Sequence, residues 1–358
     1  MPDVSPGRSV RHAHAPACAP AGRGQSLIRR LAAGLRPLAL AGLVLLAGCA
    51  TRGPVLATLV SEDMPRRVEL ADVPFFPQDA FQCGPAALAT VLNHAGAPVT
   101  PEALVPKVYL PERRGSLQAE LMAATRSHER LPYILEPTTQ DLLAQVAAGR
   151  PVLVLQNLGL NALPAWHFAV VAGYDAERNT LLLRSGTRER LEMDLRRFDR
   201  TWARAQRWAM VALMPGELPA NADVERYMTA AAGLEATGRI EAAAEAYRAA
   251  QARWPRSAWP WLGLANVDYA GGRLVAAEVG YEAALERDPL NVVARNNLAD
   301  LLAARGCIEA AHAHIVRAGE LAAGTALAEA VAQTAGRIAE LRNVRIDADV
   351  QEQCPAAP

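Results

Sequence analysis

The sequence predicts an α+β domain followed by an all-α domain of repeated helix pairs. Three observations carry the prediction. Between residues 70 and 213, helical patterns come first and the main β-branched, apolar runs follow. That order suits an antiparallel α+β layout and not a doubly wound parallel sheet. After "MPGELPANAD" (Met214 to Asp223), which reads as a Pro-containing polar linker, every segment has helical character. Finally, "RWPRS" (Arg253 to Ser257) returns 34 residues later as "RDPLN" (Arg287 to Asn291). A chain of 358 residues accommodates about two such domains.

Residues 1–48 read as a signal peptide with an N-terminal extension. Arg29, Arg30 and Arg36 precede the apolar run "PLALAGLVLLAGC", which is too short to span a bilayer. The run ends in Leu46-Ala47-Gly48-Cys49, and this resembles a bacterial lipobox. The resemblance implies cleavage before Cys49, lipidation of its thiol and a lipidated tether over residues 49–69. Ala50, not Asp, follows the cysteine, which implies sorting to the outer membrane, facing the periplasm. The plainer alternative is an ordinary secretory signal in which Cys49 is accidental. No other segment reaches membrane-spanning length.

Five cysteines are present. Cys18 would leave with the signal and Cys49 would carry lipid. Of the remaining three, Cys307 and Cys354 share the C-terminal region and are the expected pair in an oxidising compartment. Cys83 would then stay a free thiol, either a buried core cysteine or an exported thiol kept for its reactivity.

Within residues 70–213, "VPFF" (Val73 to Phe76), "PYILE" (Pro132 to Glu136), "PVLVLQN" (Pro151 to Asn157), "HFAVVAGYD" (His167 to Asp175), "TLLLRSG" (from Thr180) and "RWAMVAL" (from Arg207) read as strands. "GYDAERNT" reads as a polar turn, so the strands on either side of it should form a hairpin. Helical patterns cover Cys83 to Ala95, Ser116 to Ser127 and Thr139 to Ala148.

The period of 34 in residues 224–342 is that of tetratricopeptide repeats. Laid on it, Tyr227, Trp261 and Arg295 share an early aromatic position. Ala243, Ala277 and Ala311 share a small-residue position, and Tyr247, Tyr281 and Ile315 the next large one. Small residues let paired helices approach, and large ones fill the gap between units. The third unit has Arg295 where the others are aromatic and no closing proline, the pattern of a cap facing solvent. One more helix is expected over residues 324–342, and residues 343–358 form a C-terminal tail.

Chemistry centres on "QDAFQCGPAALATVLNHAG" (Gln78 to Gly96). Ala87, Leu88, Val91 and Leu92 give a helix an apolar face, which places Cys83 in its first turn. Unpaired amides and the helix dipole there favour a thiolate of lowered pKa. Pro85 suits the first turn, and Gly84 permits close backbone approach. The thiol needs a histidine as base. His94 lies nearly three turns away, His128 falls in a polar loop where it should be solvated, and His312 and His314 are on a late helix. His167 opens an apolar strand after the loop "GLNALPAW". A helix-start cysteine with a strand-start histidine is the papain-type arrangement.

Residues 70–213 resemble the bacteriocin-processing peptidases, papain-like enzymes that remove double-glycine leaders. The resemblance rests on "FPQDAFQCGPAALATVL" and "WHFAVVAGYD", in that order. It implies that Cys83 is the nucleophile, His167 the general base and acid, and Gln78 the oxyanion donor. Gln78 stands one residue closer to the cysteine than is usual in the family, and Gln82 is the alternative. Where the family places Asp or Asn to orient the imidazole, this sequence has "LLLRSG", and Ser185 is the nearest match. That leaves a Cys-His-Ser triad, a dyad or an inactive site. The family's best-known members are fused to export transporters. This sequence has no nucleotide-binding motif, so their substrates do not carry over.

The implied partners are a peptide or protein substrate, a protein bound by the repeats and a membrane reached through the lipid. The 37 basic and 37 acidic residues balance, so nothing draws the chain to nucleic acid. No spacing of ligands suggests a metal, and no motif suggests a cofactor. Two readings compete: a lipid-anchored cysteine peptidase, and a catalytically inactive papain-like lipoprotein that serves as a binding scaffold.

Overall fold

Apolar runs with no polar alternation make strands covered on both faces, and that is what "VLVLQN" and "AVVAGY" become. The computed structural model describes residues 54–78, 82–342 and Cys354. The signal region and Cys49 therefore lie outside the described residues. The elements of the first part are α1 (Leu56–Leu59), β1 (Arg67–Glu69), α2 (Cys83–His94), α3 (Pro101–Val108), α4 (Gln118–Ser127), β2 (Leu131–Ile134), α5 (Thr139–Ala147), β3 (Val152–Asn157), β4 (Trp166–Asp175), β5 (Thr180–Ser185), β6 (Arg188–Asp194), α6 (Leu195–Ala203) and β7 (Ala209–Leu213). Six strands lie in the order β2-β7-β3-β4-β5-β6, every pair antiparallel, and β1 adds to the far end of β4. The hairpin expected at "GYDAERNT" joins β4 to β5.

On one face, Ala87, Leu88, Val91 and Leu92 of α2 pack against Leu153, Leu155, Phe168 and Val170. On the other, Leu142, Phe198 and Trp202 of α5 and α6 cover Val152, Val154, Ala169 and Val171. The sheet is thus the middle of three layers, and the start of α2 is set beside the start of β4.

Several elements differ from the sequence reading. Val73 to Phe76 is not a strand. Pro74 and Pro77 supply no N–H for a ladder. Buried Arg184 instead takes the segment's carbonyls, donating through Nε to Val73 O (3.3 Å) and through Nη2 to Leu70 O (3.4 Å). Helix α3 was hidden by Pro106, although Thr100 caps it and Pro101 opens it. Helix α6 was hidden by Arg196, Arg197 and Arg200, although Leu195, Phe198 and Trp202 are buried and Asp194 caps it. Strand β6 is a mostly exposed edge rich in charge, which does not read as a strand. Residues 54–69, expected as tether, are built into the domain: Leu56 and Val60 enter the core, and Arg67–Glu69 pairs with β4.

The second part is helical: α7 (Val224–Ala236), α8 (Ile240–Arg253), α9 (Trp259–Ala270), α10 (Leu274–Arg287), α11 (Val292–Ala304), α12 (Ile308–Ala322) and α13 (Ala328–Arg342). The positions aligned on the period behave alike. Ala243, Ala277 and Ala311 have no exposed surface, and Tyr247, Tyr281 and Ile315 are buried beside them. The third pair is not the cap. Val331 and Ile338 of α13 close over Ile315, Ala318 and Ala322, so α13 covers the third pair. Cys354 is disulfide-bonded to Cys307.

Residues 214–223 are bound down along their length. Arg150 pairs with Glu217 (2.7 Å), Ala220 N–H donates to Gln145 Oε1 (3.1 Å), and Asn221 Nδ2 donates to Asp141 Oδ1 (3.2 Å). Tyr227 Oη donates to Pro215 O (2.9 Å). One apolar core runs from Tyr133 and Val211 in the sheet to Tyr227, Leu234 and Tyr247 in the first helix pair.

Candidate active site

The twelve-residue helix α2 begins at Cys83, and its cap position, Gln82, makes no side-chain cap bond. Its first-turn amides are thus available at the thiol. Ser116 packs on Gly84 so closely that a Cβ there would sit 2.2 Å from Ser116 Oγ, which explains the glycine in Cys-Gly-Pro. Cys83 is a free, half-buried thiol.

His167 opens on the same place because the loop before it is tied down. Buried Asn157 ends β3, and its Oδ1 accepts from Gly159 N and Ala165 N, both at 3.0 Å. Arg204 Nη1, from the residue that ends α6, donates to Gly159 O. A Cβ on Gly159 would stand 2.3 Å from Leu163 O, so the loop requires glycine there. His167 Nε2 lies 2.8 Å from Ser185 Oγ. With the ring proton on Nε2 donating to Ser185, Nδ1 is the nitrogen left for the thiol.

Cys83, His167 and Gln78 line one cavity of about 1030 Å³. Gln78 is fixed at the rim by its backbone N–H, which donates to Gly186 O at the β5–β6 turn (3.2 Å). Gln82 is exposed and does not line the cavity. Asp79, Ala80 and Phe81, between the two glutamines, lie outside the described residues.

The electrostatics differ from the expectation of a low-pKa thiolate. Burial pushes the Cys83 thiol up, and the backbone N–H groups of Phe168 and Gly84 pull against it without winning. Burial likewise holds the His167 imidazole below its ordinary value. Desolvation disfavours both charged forms, and Ser185 brings no charge to offset it. Burial thus favours the neutral thiol and the neutral imidazole.

The other histidines fall elsewhere. His94 Nε2 lies 2.9 Å from Gly149 O, at the far end of α2. His128 is not solvated as expected: it is half-buried at the end of α4, and burial together with Lys107, Arg130 and Arg239 holds it in the neutral form. His312 lies by Arg342, and half-buried His314 is kept neutral by burial and by Arg295. Asp175 is occupied in its turn, accepting from Glu177 N (3.1 Å) and Arg178 N (3.0 Å). Sequence reasoning missed Asn157 and Ser116. The Asn-x-Gly spacing of Asn157 and Gly159 was a legible side-chain turn signal, whereas Ser116 becomes relevant only through its contact with Gly84.

Residues 70–210 match the Peptidase_C39 like family, and residues 281–313 match the tetratricopeptide repeat. No curated protein matches the chain. Among solved structures, the chain is similar to a putative C39-like peptidase from Bacillus anthracis, at 17% identity and a TM-score of 0.35, over 41% of this chain and 97% of that one. It is similar to a double glycine motif protease from an AMS/PCAT transporter, solved with the leader peptide, at 21% identity and a TM-score of 0.32, over 43% of this chain and 95% of that one. It is also similar to the type III secretion translocator chaperone SycD of Yersinia enterocolitica, at 20% identity and a TM-score of 0.32, over 34% of this chain and 86% of that one. By the two family matches, the sheet domain resembles the Peptidase_C39 like family, and a helical region with tetratricopeptide-like repeats follows it.

Proposed function

We propose that the protein is a lipid-anchored cysteine peptidase of the bacterial cell envelope that cleaves a peptide or protein substrate, with the repeats recruiting a protein partner. The observation that carries this reading is the convergence of Cys83, His167 and Gln78 on one cavity, with Ser185 on the far nitrogen of the ring. His167 Nδ1 takes the thiol proton as Sγ attacks the scissile carbonyl carbon, because burial favours the neutral form of both groups. The negative charge on the carbonyl oxygen is met by the Gln78 amide and the Cys83 backbone N–H. The imidazolium then gives its proton to the leaving amine, and an acyl-cysteine remains. Water, deprotonated by His167, releases the acyl group and restores the thiol.

The lipobox supports the anchor and the envelope location. The repeat match supports a peptide or protein partner.

A non-catalytic scaffold is the second reading. Its supporting observation is that burial disfavours both charged forms while Ser185 replaces a carboxylate or amide. Peptide hydrolysis by purified protein, lost in Cys83→Ala and in His167→Ala, is the expected result for a peptidase. Peptide binding without turnover in the unmutated protein would put the scaffold in front.

A further inference from the structure

We infer that the cleft selects peptides carrying an acidic side chain close to the scissile bond, an inference that rests on the peptidase reading. The charge of the cleft wall carries it. Among the described residues, the charged side chains lining the cavity are Arg113 and Arg114, and no carboxylate lines it. Both arginines are exposed. Arg113 enters no ion pair and no side-chain hydrogen bond among the described residues. Glu112, beside them in sequence, is exposed and is not part of the cavity wall.

The arginines are held, not loosely attached. Pro111–Arg113 forms a 3-10 turn. Leu110 N–H donates to Gly115 O at 2.8 Å and closes the loop at its base, with the reverse bond at 3.4 Å. Arg114 has φ 48° and ψ 44°, a left-handed conformation that is strained for a residue bearing a side chain. A glycine at that position would have relieved the strain. The strained position instead carries a side chain that lines the cleft.

The wall formed by Pro164 and Trp166 is apolar, with Trp166 55% exposed. An extended peptide turns successive side chains to opposite sides. A substrate in this cavity can therefore offer an apolar side chain to Trp166 and a carboxylate to Arg113. The full chain has 37 basic and 37 acidic residues, and loss of residues 1–48 (six arginines and one aspartate) leaves an acidic excess, so a preference for anions belongs to this cleft and not to the molecule's overall field.

The test uses three short peptidyl chloromethyl ketones that differ only in having Glu, Gln or Lys next to the reactive residue. The second-order rate of Cys83 labelling is measured by peptide mass analysis on the full chain. Each rate is divided by the same protein's iodoacetamide rate, so that changes in thiol reactivity cancel. The Glu probe should label about fivefold faster than the Lys probe, the scale of an exposed ion pair. The gap should close at high salt. It should also reverse in Arg113→Glu and shrink in Arg113→Gln, which keeps the proposal testable if the charge reversal fails to fold. Equal labelling by Glu and Lys probes, with iodoacetamide still reacting at Cys83, overturns the acidic preference and leaves the peptidase reading standing. If iodoacetamide labels Cys83 and no peptidyl probe does, the peptidase reading fails and takes the preference with it.

Discussion

His167 Nε2 and Ser185 Oγ meet at 2.8 Å across the β4–β5 hairpin, so the ring is oriented by a hydroxyl and not by a carboxylate. A hydroxyl fixes the ring but does little to stabilise an imidazolium. With burial raising the thiol and lowering the ring, the thiolate forms only as pH climbs past the ordinary thiol range. Iodoacetamide alkylation of Cys83 should therefore show a midpoint above the free-thiol value of about 8.5. Ser185→Asp places a negative charge on the far nitrogen, which favours the imidazolium and through it the thiolate. The midpoint should then fall by about one pH unit. Alkylation across pH measures both, and a Ser185→Asp profile identical to that of the unmutated protein would remove Ser185 from the site.

Gln78 tests the oxyanion assignment. Alkylation forms no oxyanion, so Gln78→Ala should alkylate at nearly the normal rate. Peptide hydrolysis should slow by roughly a hundredfold. Gln82→Ala should change neither, because Gln82 is exposed outside the cavity. Steady-state hydrolysis beside alkylation separates the two glutamines.

Much of this fold could be read from residues whose burial imposes a pattern. The strands covered on both faces had to be apolar throughout, and the repeat alanines recur because helix contacts recur with them. What escaped reading was local polar geometry. Helix α6 keeps Phe198 and Trp202 inside while three arginines mask the periodicity. Arg184 looks like one polar residue in a strand, yet it takes two carbonyls of the segment leading to Gln78. Cys83 and His167 could be paired from the sequence because helix and strand starts are marked by where the apolar pattern begins. The protonation state of that pair could not, because it depends on how far the finished fold excludes water from both groups.

Ala277 should separate the repeats from the site. Its side chain has no exposed surface and belongs to the apolar cluster of the later repeats, which contains no residue of the sheet. Ala277→Leu overpacks that contact and should cost roughly 1–3 kcal/mol. Thermal melting should show the loss, while the alkylation rate of Cys83 in the folded protein should stay unchanged. Loss of both together would mean that the repeats support the site directly.

The lipid anchor is tested at Cys49. Cys49→Ala removes the acceptor thiol, and the protein should move from the detergent phase to the aqueous phase of a detergent extract. Mass analysis of the mature N-terminus should show acyl chains on Cys49 in the unmutated protein only. Unchanged partitioning of the variant would remove the lipoprotein assignment.

The disulfide gives the last prediction. Cys307 and Cys354 are 47 residues apart, and their bond closes a loop that contains α12 and α13. Closing a loop of that size restricts the unfolded chain and stabilises the folded one by about 2–4 kcal/mol. Cys307 is buried at the start of α12, and Cys354 packs against the same apolar cluster as Val331 and Ile338. The bond thereby holds the C-terminal end of the chain to the third helix pair. Cys354→Ser should lower the melting temperature of the repeat region, and added reductant should lower that of the unmutated protein to the same value. Reductant should not lower the variant further. Cys83, the free thiol, should keep its alkylation rate in both, because neither cysteine of the bond belongs to its cavity. If reductant leaves the melting temperature of the unmutated protein unchanged, the bond does not contribute to folding stability and the last repeat is held by packing alone.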